Sequence, residues 1–118
     1  LKENQEVLNI DQQNLAEAWQ RTLPQLLHYG DSVEVKPIKG RSNALMIHIN
    51  VKGRTGYDFD FMCTYKDPRE VDVDVINVGT TGLIDDQHKN VAKELIHDYT
   101  RHIHECAQAV QSMTHQPN

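Results

Sequence analysis

Four aspartates and a histidine are the residues of this 118-residue chain best suited to chemistry. Asp58 and Asp60 form one pair spaced by a single residue, Asp72 and Asp74 form another, and His48 precedes both. Closely spaced carboxylates beside an imidazole can hold a divalent cation, as in metal-dependent phosphodiester cleavage. His48, Asp58, Asp60 and Asp74 are therefore candidate metal ligands for a hydrolase or nuclease. The plainer reading is that aspartates on a wet face keep it solvated, because no ligand spacing here is diagnostic. Rows of carboxylates can also imitate a phosphate backbone and occupy a nucleic-acid-binding partner.

Two further constellations stand beside plain alternatives. Gly79-Thr80-Thr81-Gly82 links a strand to a helix, so its amides could converge on a small anion, with Lys52 and Arg54 within reach from another loop. Against this, Asp85 and Asp86 repel an anion, and the four residues are no phosphate-loop motif. Asp98, His102 and Cys106 recur every fourth residue, and each can ligate zinc. Cys106 also belongs to an apolar stripe that would bury it. Neither Cys63 nor Cys106 has an activating neighbour, and no serine carries a motif, so nothing supports nucleophilic catalysis. No cofactor is implied.

The elements that must position these residues are written in alternation. Leu45, Ile47, Ile49 and Val51, then Tyr57, Phe59, Phe61, Cys63 and Tyr65, then Val71, Val73 and Val75 hold the odd positions. Most even positions between them are polar. Strict alternation predicts strands, because successive side chains point to opposite faces of a sheet. One face is apolar and must be covered; the other is wet and acidic. A further strand is expected over 32–38, with Val33 and Val35 inward and Pro37 marking an edge.

Register follows from parity. Keeping the odd residues of neighbouring antiparallel strands on one face requires paired numbers with an even sum. That excludes a two-residue turn at Asp67-Pro68 and points to a loop over 67–69, with Phe61 opposite Val75 and Cys63 opposite Val73. The same rule permits Val51 opposite Tyr57, and His48 then faces Asp60.

Helices flank the sheet. Asp11 can cap one whose stripe is Leu15, Trp19, Leu23, Leu26 and Leu27, with a kink or restart at Pro24 and an end at Gly30. A long helix beginning near Asp85 carries Val91, Ala92, Leu95, Tyr99, Ile103, Cys106, Val110 and Met113 on one stripe. Residues 1–10 read as a loosely ordered lead-in and 114–118 as a frayed tail. The expected fold is a single α+β domain: a two-layer sandwich in the order α-β-β-β-β-α, its four-stranded antiparallel meander packed by N- and C-terminal helices.

By parity the outer sheet face is not wholly polar. Ile38, Met46, Met62, Ile76 and Val78 also point there, and exposed apolar patches mark contact surfaces. The far end of the meander gathers Lys36, Lys39, Arg41, Lys66 and Arg69, diluted by Asp67 and Glu70, and reads as a solvated rim.

Composition bounds the partners. A net charge of −5 argues against broad nucleic-acid binding, which needs a basic face. No apolar run approaches the ~20 residues that cross a bilayer. Residues 1–5 lack a signal-peptide core, and two cysteines form no disulfide framework, so a cytoplasmic, reducing location is expected. The function expected is a small non-enzymatic binding or regulatory domain that dimerises or docks a protein through that apolar patch.

Overall fold

The computed structural model describes residues 10–28, 30–51, 56–80 and 86–114, with the backbone alone at 86–89. The lead-in before Ile10, the loop bearing Lys52 and Arg54, the Thr81–Asp85 segment and the tail after Thr114 lie outside the described residues.

Alternation produces the expected sheet. Strands β1 (Ser32–Ile38), β2 (Arg41–Asn50), β3 (Tyr57–Asp67) and β4 (Glu70–Thr80) pair antiparallel in sequence order. Helix α1 (Gln12–Leu26) precedes them; α2 (Asp86–Ala109) and a short α3 (Gln111–Thr114) follow. The odd residues from Leu45 to Tyr65 on β2 and β3 are buried, and the helices pack on that side. Among the described residues no helix is long and apolar enough to cross a membrane.

The register agrees with parity, though one device differs. His48 faces Asp60, Phe61 faces Val75 and Cys63 faces Val73, while the Val51 amide donates to the Tyr57 carbonyl at 3.0 Å. The expected loop over 67–69 is instead a tighter turn at Pro68-Arg69, with Asp67 opposite Glu70. Lys66 is the extra residue that restores the match between Tyr65 and Val71. Asp67 Oδ1 holds this turn by accepting from the amides of Arg69 (2.7 Å) and Glu70 (2.9 Å).

A second shift changes the site. Between the pairs Phe61–Val75 and Asp60–Asn77, β4 carries one unmatched residue, Ile76. Such a bulge flips the parity of everything beyond it. Val78 therefore lies opposite Phe59, on the helix side, and not on the outer face as parity alone implied. Asn77 takes the outer position beside Asp60.

Helix α1 begins where Asp11 accepts the Asn14 amide at 2.9 Å. Leu15, Trp19 and Leu23 are fully buried, and Leu26 and Leu27 partly. Pro24 forces no restart: it sits in the last turn, and the helix ends at Leu26. Gly30, at φ +92°, then turns the chain toward β1.

Helix α2 buries Tyr99, Ile103, Cys106 and Ala107 as one stripe, with Val110 buried just past its end. The expected continuous helix breaks after Ala109, and this rotates Met113 out to 36 % exposure. Thr114, expected to fray, is fully buried. Its hydroxyl donates to the Pro68 carbonyl at 2.7 Å and lies beside Tyr65, whose oxygen receives Trp19 Nε1 at 3.1 Å.

Candidate functional site

The outer sheet face places the chemistry in rows. Across β1 to β4 one row reads Glu34, His48, Asp60, Asn77; the next reads Lys36, Met46, Met62, Asp74. His48 bridges two carboxylates, with Nδ1 at 2.6 Å from Asp60 Oδ1 and Nε2 at 3.6 Å from Asp58 Oδ2. Asn77 Nδ2 reaches the other Asp60 oxygen at 3.4 Å.

These contacts do not make a metal site by themselves: a carboxylate on one ring nitrogen is compatible with a cation on the other, so the remaining ligands decide. Asp74 lies opposite Met62, away from the cluster, and Asp72 contacts Lys66 Nζ at 3.7 Å. Among the described residues no group of three or more His, Cys, Asp or Glu side chains could hold a metal ion. On α2, His102 Nδ1 contacts Glu105 Oε1 at 2.9 Å, Asp98 meets Arg101 at 3.5 Å, and Cys106 is buried, so those three do not converge either.

Gly79 is where the Asp58 carboxylate is accommodated. A Cβ built there would overlap Asp58 Oδ1, so this glycine makes room for the carboxylate above it. That places a negative charge over the first residue of the candidate anion loop. Thr80 closes β4, while Lys52, Arg54, Thr81 and Gly82 lie outside the described residues. Gly79→Ala is expected to displace Asp58 and shift the His48 ring nitrogen signals, with a stability loss of about 1 kcal/mol at most. Removing the obstacle in an Asp58→Ala background should erase that loss, as a double-mutant cycle by urea unfolding would show.

The candidate docking residues do not share one patch. Met46 and Met62 face each other on the outer side, but both are half-buried, and Arg41 Nη1 lies 3.5 Å from Met62 Sδ. Ile38 is half-buried at the β1–β2 turn. Exposure is concentrated instead on β4, at Val75 (40 %), Ile76 (48 %) and Val78 (40 %). Val75 keeps its expected place opposite Phe61 on the helix side, yet at the sheet edge it stays 40 % exposed. The lapse of alternation at Val75-Ile76-Asn77-Val78, where two branched residues adjoin, coincides with the bulge that follows it.

The two edges of the sheet differ. Gln20 of α1 donates to the Val33 carbonyl at 2.9 Å and accepts the Val35 amide at 2.7 Å. One side-chain amide thereby does for β1 what a neighbouring strand would do. Pro37 and Lys36 guard the rest of it. Strand β4 has no such cover: among the described residues no strand pairs with its outer side.

Both cysteines are free and buried, and burial pushes Cys106 up to about 12 and Cys63 higher still. Unfolded thiols ionise near 9.0, so the unfolded chain binds fewer protons above that pH and stability falls as pH rises from there. Urea midpoints should therefore drop steadily above about pH 9, and a disulfide reagent should find neither thiol in the native state.

No family model, curated protein or solved structure matches the chain.

Proposed function

We propose that the chain is a non-enzymatic protein-binding domain that takes up an extended, basic segment of a partner along β4. The observation that carries this is the grouping of exposed apolar side chains: among the described residues, of four such large ones, Val75, Ile76, Val78 and Met113, three lie within β4. Among the described residues no strand covers this edge of the sheet, and an added strand satisfies the backbone groups of such an edge. Charge selects the partner. Glu70, Asp72 and Asp74 interleave with the valines of β4, Asp60 lies one strand away, and the whole chain carries −5. A strand alternating basic and apolar residues complements that pattern. Two free, buried thiols suit a reducing, cytoplasmic setting for the encounter.

A second copy is the other occupant an open edge invites. Pairing two β4 strands would bring their aspartate rows together, and like charges facing across strands oppose it.

Titration calorimetry with a short peptide alternating lysine and valine tests the reading, with a glutamate–valine peptide as control. Only the basic peptide should bind, more weakly as salt rises, and Ile76→Lys should weaken it at least about tenfold by putting a charge on the open edge. Equal binding of both peptides, or an unchanged Ile76→Lys, would contradict it. A dimer that Ile76→Lys dissolves would put a second copy in the partner's place.

A further inference from the structure

One flank of α2 adds a second wall beside the β4 edge. On its other flank the helix lies against α1, where the ring centroids of His102 and His28 are 5.9 Å apart. Toward β4, Ala107 and Val71 line one groove at the hairpin end. Thr100 and Ile96 precede Ala107 by seven and eleven residues, steps that bring an α-helix back to within about 20° of the same direction. They therefore share the flank that faces β4. Their height follows from Tyr99, whose ring meets Phe59 at 6.0 Å, and Phe59 pairs with Val78. Thr100 adjoins Tyr99 and Ile96 lies one turn earlier, so both stand near the Val75–Val78 stretch.

We propose that a partner strand added to β4 turns its apolar side chains into this seam, toward Ile96 and Thr100, and its basic ones to the outer face of the sheet. This rests on the docking reading above and adds to it the phase of the bound strand. Backbone bonding along an edge leaves phase open, because either set of alternate side chains could face the helix. Residues directly opposite on neighbouring strands share a face, so the side chains of β4 decide. Its helix side carries Val75 and, because the bulge at Ile76 turns it there, Val78, both 40 % exposed. Ile96 and Thr100 are half-buried across from them. At the hairpin end the seam is shut, with Val71 and Ala107 both buried. An apolar side chain laid between strand and helix takes both part-exposed surfaces out of water together.

The outer side of β4 has the opposite character. Asp72 and Asp74 stand there, opposite Thr64 and Met62 of β3. Among the described residues Asp74 has no ion-pair or hydrogen-bond partner. Asp72 shares Lys66 at 3.7 Å, with both side chains more than half exposed. Lysines set opposite these aspartates gain charge pairing that valines there would not. The reverse phase would press ammonium groups against Val75, Val78 and Ile96, at a desolvation cost with no compensating partner.

The test is an isotope-filtered NOE experiment on the full chain with a lysine–valine peptide whose valine methyl groups are labelled. Those methyls should contact the side chains of Val75, Val78, Ile96 and Thr100, and not Met62 on the outer face. Thr100→Glu gives an independent reading, since glutamate suits a helix and would attract the peptide if lysines entered the seam. The variant should instead weaken binding several-fold by setting a charge against the valines. Valine contacts to Met62, or tighter or unchanged binding by Thr100→Glu, would overturn the phase and leave docking along β4 standing. A peptide that fails to bind, or binds away from β4, would overturn both.

Discussion

Phe59→Ala is expected to lower the free energy of unfolding by about 3–5 kcal/mol, the largest effect of any single substitution proposed for this chain. Phe59 is fully buried and lies at the centre of an aromatic group. Its ring stacks on Tyr57 at 5.8 Å and meets Phe61 and Tyr99 at 6.0 Å each. It therefore joins the sheet to α2, and Tyr99 in turn is anchored by its hydroxyl donating to Asp31 at 2.6 Å. Truncation removes apolar contact and leaves a cavity between two layers that cannot both collapse into it. Against a typical total of about 5–15 kcal/mol, the variant should be close to unfolding at physiological temperature. Phe59→Leu, which preserves most of the volume, should lose less than about 1.5 kcal/mol. Urea denaturation of both variants decides. A loss below about 1 kcal/mol for the alanine would show that the aromatic group is not the joint between the layers.

The second large effect is expected at Thr114→Val, at about 1–3 kcal/mol. The side chain keeps its shape and loses only its hydroxyl. That hydroxyl donates to the Pro68 carbonyl in a buried position beside Tyr65, which itself accepts from Trp19. Without it the buried Pro68 carbonyl loses its donor and Tyr65 loses a polar neighbour, both away from water. Thr114→Ser should recover most of the stability because the bond to the Pro68 carbonyl needs the hydroxyl and not the methyl group. Equal losses for valine and serine would assign the effect to packing alone.

The sequence exposes the sheet clearly because its helices cover one side only. Wherever a strand has one dry and one wet face, alternation writes the register into the residues, and His48 opposite Asp60 could be read from parity. Parity fails where the chain inserts an unmatched residue. The lapse of alternation at Val75-Ile76 hints at an irregularity but not at which residue is extra, because a bulge is defined by its partner strand, and parity alone therefore puts Val78 on the wrong face. The carboxylates were legible as a group, but their mutual engagement through His48 was not, since it depends on side-chain rotation. Gln20 and Thr114 were invisible for a related reason. A glutamine on a helix or a threonine near a terminus looks solvated until tertiary contact supplies a backbone partner, Val33 and Val35 for one and Pro68 for the other.

The central claim is that β4 is the open edge on which a basic partner strand is added, while β1 is closed by α1. Amide hydrogen exchange, read residue by residue with and without the lysine–valine peptide, tests it most directly. Alternate amides of β4, those turned away from β3, should exchange freely in the isolated chain and become protected on binding, with β1 unchanged. Protection that appears on β1, or binding that leaves every β4 amide as free as before, would contradict the account.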